Sequence, residues 1–335
     1  MALIRRILLS LAIASLGVVG HVAWAAEAVP PAVVAMESVP GGVETTVGGA
    51  PFASFVYADE AISRPYFAHV RAPNGVPVTR NHPPLAGSDP SDHPTFHPGI
   101  WLALGDLSGS DGWRLKAQVR FEEFIEEPHG GSGGERAGEG GFVARFSHRD
   151  QRDPNATICS EEFRCAVHAL PEGTLLLWDS TFTGDKEFSF GDQEEMGLGV
   201  RMATPLRAER QSKKEKLPPG GGEIVSADGD RNEEGIWGTA PAWCDYRGEV
   251  AGQGAGIAIL CHPENFRPSR FHVRDYGLMV ANPFGVAAFK QGEPTRVTVA
   301  PGESLRLRYG ILIHDGQVDA DAARQRYLEL AGNSQ

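Results

Sequence analysis

The apolar positions of this chain mostly recur at a period of two. Short runs that alternate apolar and polar residues, or turn continuously apolar, are separated by glycine- and proline-bearing turns. That pattern predicts strands and an all-β sandwich or barrel. Runs of this kind occupy residues 52–57, 66–71, 113–126, 141–148, 174–183, 196–203, 256–262, 277–282, 296–299 and 304–314. Helical periodicity emerges only at the end. Over 319–330, Ala322, Ala323, Tyr327 and Leu330 fall on one side of a helix. The expected architecture is a single antiparallel sandwich of two large curved sheets, spanning 26–335, with that C-terminal helix packed on its outside. Two long polar segments, 128–141 with its seven glycines and 210–222 with Pro-Pro-Gly-Gly-Gly, read as surface connections, with a lid over a site as the alternative.

The first residues stand apart from this pattern. Arg5 and Arg6 precede a short apolar run, and Ala23-Trp24-Ala25 has the A-x-A form of a cleavage site. Residues 1–25 therefore read as a secretory signal peptide, and the mature chain is expected in the periplasm or outside the cell. No later segment has the roughly 18 apolar residues of a membrane span. Without Arg5 and Arg6, 29 basic residues face 43 acidic ones, and the net charge moves from −12 to −14. Such a surface repels nucleic acid and anionic lipid, so neither is an expected partner.

Export places the four cysteines in an oxidising compartment. Cys244 and Cys261 flank Gly252-Gln253 symmetrically, so a hairpin centred there would bring them opposite each other as a disulfide. Cys159 and Cys165 can bridge only if the chain turns between them. Neither pair has metal-ligand spacing.

Three stretches carry candidate chemistry. In "DHPTFHPGIW", residues 92–101, two histidines four apart are each followed by proline. Pro94 and Pro98 rule out a regular helix and predict a stiff loop that fixes His93 and His97. In "GDQEEMGLGVRM", residues 191–202, Met196, Leu198, Val200 and Met202 share a core face of a strand. Gln193, Glu195, Gly197, Gly199 and Arg201 share the other, where the glycines leave room for something to approach. Glu195 is then the carboxylate expected to face a ligand, with Glu194 turned to the core unless Gly191 introduces a bulge. In "HPENFRPSRFHVRDYG", residues 262–277, His272, Arg274 and Tyr276 share a face if the segment is a strand. Arg267 and Arg270 add local positive charge suited to a carboxylate or polar ligand. The phosphate-binding loop and the dinucleotide fingerprint are both missing.

Taken together, "DHPTFHPGIWLALGDLSGSDGW", "FGDQEEMGLGVRMATPL", "WCDYRG" and "FHVRDYGLMVANPFG" resemble the PmoA-like family of secreted bacterial proteins over about residues 64–314. That family takes its name from a polytopic methane-oxygenase subunit. This chain has no spanning pattern, so methane oxidation is set aside. The family's strand pattern is in turn similar to the large sandwich of galactose mutarotases, which bind a sugar on one sheet face. There a glutamate takes a proton from the anomeric hydroxyl and a histidine protonates the ring oxygen.

The resemblance implies Glu195 as base and His93, His97 or His272 as acid. Asp92, Trp101, Gln193, Glu194, Arg201, Arg274 and Tyr276 would be contacts to a sugar or modified glycoside. The reaction would be epimerisation, lyase chemistry or hydrolysis, with no cofactor. Two other readings stay open. One is a metal-dependent hydrolase in which a divalent ion is held by His93 and His97, completed by His82, Asp92 or His148. The other is a non-catalytic carbohydrate-binding or cell-surface protein that stacks sugars on Trp101, Trp113, Trp178, Trp237 or Trp243.

Overall fold

The computed structural model describes residues 32–131, 138–209 and 216–333. The expected signal peptide lies outside the described residues, as do parts of the two long polar segments.

Two eight-stranded antiparallel sheets pack face to face, as the alternation predicts. The first is built in spatial order from β1 (Val34–Val39), β2 (Gly42–Val47), β3 (Ala50–Val56), β4 (Tyr66–Ala68), β5 (Ile100–Leu104), β11 (Met196–Arg201), β16 (Leu278–Asn282) and β15 (Arg270–Arg274). The second runs β12 (Glu223–Ser226), β13 (Trp243–Val250), β14 (Gln253–Cys261), β18 (Ser304–His314), β9 (Gly173–Thr183), β8 (Asp153–Leu170), β7 (Glu139–Asp150) and β6 (Val119–Gly130). A two-stranded ribbon, β10 (Phe188–Phe190) with β17 (Val297–Val299), completes the strands. The core between the sheets is aromatic. Phe55 meets Phe142 with ring centroids 4.9 Å apart, and Phe67 meets Trp178 at 5.9 Å.

The C-terminal helix, α2 (Ala320–Asn333), buries Ala323, Tyr327 and Ala331 against Leu175, Leu177, Leu260 and Leu312 on the outer face of the second sheet. Trp243 donates from Nε1 to Asp321 Oδ1 at 2.7 Å and ties the helix to β13. A five-residue helix, α1 (Asn232–Ile236), was not foreseen. Among the described residues no helix is long and apolar enough to cross a membrane.

Several expectations are corrected. Residues 113–118 form turns, so the strand predicted from 113 starts at Val119. The 18-residue β8 holds Cys159 and Cys165 in one uninterrupted strand, which rules out a bridge between them. The β13–β14 hairpin turns at Ala251-Gly252, one position earlier than symmetry about the cysteines requires. Cys244 therefore faces Ile259, and Cys261 lies diagonal to it. All four cysteines are buried free thiols, and the expected Cys244–Cys261 disulfide is absent.

Candidate functional site

The first sheet has two unlike faces. Met196, Leu198, Val200 and Met202 point into the sandwich core, as their alternation requires. The opposite face carries a cross-strand row Trp101–Gly199–Val280–His272, and beside it a row Arg201–Leu278–Arg274. At a strand spacing of about 4.8 Å, the ends of the first row stand about 14 Å apart. Loops stand over both ends.

The room left by Gly199 is filled from within the chain. A Cβ there would lie 2.7 Å from the Trp101 ring, so the glycine seats the indole and not a ligand. At Gly197, with φ +110°, a side chain would strike the Ala281 carbonyl at 2.1 Å. Trp101 is fully buried, and so are Trp113 and Trp178, which removes all three as platforms for a sugar. Instead Trp101 supports a column of rings. His97 stacks on it at 5.1 Å, and His93 stacks on His97 at 4.6 Å.

The loop that carries these histidines turns at Pro94, Thr95 and Phe96, where His97 N–H donates to the His93 carbonyl at 3.2 Å and closes one turn. Both rings thus share a side, as on a helix, without a helix being present. Its rigidity comes mainly from two buried arginines. Arg80 donates to the carbonyls of Pro90, Asp92, His93 and His97 at 2.7–3.1 Å. Arg64 donates to the carbonyls of Gly112, Trp113 and Phe96. Burial brings the Arg80 guanidinium down to about 10 and that of Arg64 to about 9, and both stay charged at neutral pH.

Asp92 is the carboxylate beside the histidines. Its Oδ1 accepts from Arg201 at 2.7 Å, and its Oδ2 accepts from His93 Nδ1 at 2.9 Å. Burial would raise its carboxyl, but the His93 hydrogen bond and the Arg201 cation hold it well below the usual range. With Nδ1–H donated to Asp92, neutral His93 keeps a lone pair on Nε2, and its side chain is 47% exposed. This is an imidazole oriented by a carboxylate and open to a ligand. His97 is only 3% exposed. Burial and then the Arg201 cation push its pKa well down, so it is a neutral spacer in the column. Truncating His97 would open a cavity, and loss of function there comes with loss of stability.

The other end of the row holds a second pair. Asn282 donates to the carbonyls of Gln193 and Glu194 and fixes the chain before β11. His272 Nδ1 lies 3.3 Å from the Glu194 carbonyl, to which it donates. The lone pair on Nε2 then faces Glu194 Oε2 at 3.9 Å. Burial, with Arg274 adding to it, lowers the His272 pKa to about 4. Burial raises the Glu194 carboxyl, against the pull of Arg274 at 3.7 Å. Glu194 does not turn to the core as predicted, for the chain at 191–195 is irregular and the alternation starts only at Met196. Glu195, the expected base, is held by Arg114 at 2.9 Å. The Gln193 side chain lies against Gly105. Arg201 stacks under Tyr276 at 4.6 Å, and Arg274 pairs with Glu233 of α1 at 2.9 Å, which links the two ends.

The structure thus brings His93, His97, Asp92, Trp101, Arg201, Tyr276, Arg274, His272, Glu194 and Glu195 to one sheet face. His148 is elsewhere. It lies on β7 of the second sheet, bonded to buried Glu161 at 2.8 Å, and cannot join the loop histidines. His82 packs edge-on to Tyr66 at 5.2 Å. Asp92, His93 and His97 do come within 4.8 Å of one another at their ligand atoms, close enough to serve one ion. Arg201 and Arg80 already neutralise that carboxylate, however, and a cation there would meet both guanidinium groups. Sequence reasoning missed Arg64, Arg80, Arg114, Glu233 and Asn282.

A pH prediction follows from the buried imidazoles. The unfolded chain protonates histidine near 6.5, whereas folded His272 resists until about 4. Stability should therefore be full above about 6.5 and fall as the pH drops towards 4, with His272 contributing on the order of 3 kcal/mol. His262, lowered to about 4 by burial and Arg308, acts with the same sign. Denaturant unfolding at pH 7 and pH 4.5 should show the loss, and His272→Gln should remove part of it.

The fold and the site define an all-antiparallel β-sandwich with a cluster of ionisable side chains on an outer sheet face. The chain belongs to the family of unknown function DUF6807, which it matches over residues 42–327. No curated protein is detectably similar in sequence. Among solved structures it is similar to an α-galactosidase from Lactobacillus brevis, at 9% identity and a TM-score of 0.41 over 85% of this chain and 39% of that one. It is also similar to a GalM/aldose epimerase homologue from C. elegans, at 8% and 0.36 over 86% and 100%. A third is a galactose mutarotase related enzyme from Lactobacillus acidophilus, at 9% and 0.30 over 85% and 100%. The chain spans about two fifths of the α-galactosidase's length. All three scores lie below 0.5, so neither activity nor substrate carries over from them.

Proposed function

We propose that this chain is an exported carbohydrate-active enzyme that binds a sugar or modified glycoside between the His93 and Glu194 ends of the outer face. It would act there by proton transfer, as an epimerase, lyase or hydrolase. The PmoA-like likeness of the motifs, the signal peptide and a single domain over 26–335 belong to this proposal.

The carrying observation is the contrast between two ionisable pairs on one face. Glu194 has its proton affinity raised beside a neutral His272, which suits a proton donor. His93 is backed by ionised Asp92 and presents an open Nε2, which suits a proton acceptor. Pairs whose environments push them towards opposite roles mark acid–base sites. Strain supports the same face: His93, Leu115 and Lys290, all left-handed and none glycine, sit on its bordering loops, and Asn232, also left-handed, opens α1. Tyr276, Arg274, Arg114 and Glu233 supply donors and acceptors for hydroxyl groups.

Calorimetric titration with a panel of monosaccharides and glycosides, followed by product analysis, tests the reading. Binding with turnover supports it, binding without turnover leaves a carbohydrate-binding protein, and no binding overturns it. A metal-dependent reading is favoured by the Asp92–His93–His97 cluster alone. The two arginines predict that purified protein carries no stoichiometric zinc or other divalent metal, and that chelation leaves activity unchanged. Elemental analysis finding one ion per chain would reverse that order.

A further inference from the structure

Beyond Glu194 the face continues onto the loop between β16 and β17. That loop is anchored at its base by Asp192, whose carboxylate accepts from the N–H groups of Val286, Ala287, Ala288 and Thr295 at 2.9–3.0 Å. Four such bonds around one side chain make the loop a fixed wall. Phe289 reaches from it to lie 6.3 Å from His272 and 5.3 Å from Trp237. Lys290 follows in a left-handed conformation, φ +58°, and is exposed. Its ammonium lies 5.8 Å from the Trp237 ring and close enough to Glu194 to act on its charge. Arg270, on the same face of β15 as His272, donates from Nε to Gln291 at 2.7 Å.

The two cations differ from their neighbours. Arg114 and Arg274 are each held by carboxylates. Among the described residues, Lys290 and Arg270 have no carboxylate within ion-pair distance, and no partner is found for the terminal nitrogens of Arg270. They sit at one end of a face whose acids, Glu194, Glu195 and Glu233, are otherwise paired, in a chain with a net charge of −12. Left-handed backbone at Lys290 closes the turn over 286–291, where Lys290 N–H donates to the Ala287 carbonyl at 2.9 Å and Gln291 N–H to the Val286 carbonyl at 3.0 Å, and so fixes where the lysine leaves the loop. Arg267, over Phe266 at 5.1 Å, adds to the local field.

We propose that the sugar taken by this site is acidic, its carboxylate seated against Lys290 and Arg270 and its ring extending back over Glu194 towards His93. This rests on the carbohydrate reading above and narrows it to uronates and uronate-bearing glycosides. Arg270 offers a planar pair of N–H donors that matches a carboxylate, and Lys290 closes the seat as a point charge.

The test uses matched pairs of probes titrated into the purified exported protein: glucose with glucuronate, galactose with galacturonate, and mannose with mannuronate. At least one acid should bind about tenfold or more tighter than its neutral partner, a difference of about 1.4 kcal/mol. That advantage should shrink as salt is raised, while the neutral sugar's affinity stays level. The double variant Lys290→Met/Arg270→Gln should bind both members of the pair alike. Equal binding of acid and neutral sugar by the wild-type chain would overturn the carboxylate seat and leave the carbohydrate reading standing. A preference that survives in the double variant would overturn this location for the seat. If no sugar of either kind binds, both readings fail together.

Discussion

Replacing Arg80 by methionine should cost about 3 kcal/mol or more and disorder the histidine loop. Methionine keeps much of the apolar stem but none of the donors. Four carbonyls, of Pro90, Asp92, His93 and His97, lose their charged partner at once. Each charge-assisted bond contributes about 1.5–3 kcal/mol, and acceptors left dry cost more than they gained. Water entering the loop would satisfy some of them, which is why the total falls short of four full bonds. Arg80→Lys should rescue little, because one ammonium cannot span four carbonyls in a planar fork. Chemical denaturation measures the cost. Proteolysis between 81 and 97 in the folded state would report the loosened loop. A variant as stable and as protease-resistant as wild type would show that Pro94 and Pro98 suffice to fix the histidines.

Glu194→Gln should lower turnover of whatever sugar the panel identifies by about 100-fold or more, within the usual contribution of a general acid or base. The amide keeps the shape and a hydrogen bond but cannot hold the exchangeable proton. Folding should change by less than about 1 kcal/mol, since the side chain is 30% exposed and no buried partner is stranded. Glu195→Gln separates the two adjacent acids. It breaks the pair with Arg114 and should weaken binding, with a smaller effect on the chemical step. The pH profile gives a second readout: the limb belonging to Glu194 should vanish in the glutamine variant and persist in the other. If Glu195→Gln is the dead variant, the proton passes through the residue first indicated by the strand alternation.

The sandwich was legible because period two is a local property. Met196, Leu198, Val200 and Met202 announce a buried face whatever packs on it. The C-terminal helix was legible for the same reason. The site was legible only in part. Two histidines pinned by prolines and a polar strand face pointed to one shared sheet face, since both depend on neighbouring residues. The partner of each group could not be read, because partners come from distant segments. Arg80 meets the loop through a bridge between Thr79 and Met202, and Glu233 arrives on α1. The expectation that Glu194 faces the core failed at an irregular stretch, where alternation does not hold. His148 was grouped with the loop histidines by residue type alone, and the sheet order separates them.

The ring column over Gly199 ties distant positions together in a way that bears on how the sequence can drift. His93 stands on His97, His97 on Trp101, and Trp101 on a glycine whose missing side chain sets the height of the stack. Adding a methyl group at 199 would lift the indole, and with it an imidazole two rings further out that never touches the strand. Only a smaller aromatic at 101 could absorb the change. Positions 199 and 101 are thus free to vary as a pair but not singly, and homologues that depart from this glycine should depart from this tryptophan as well.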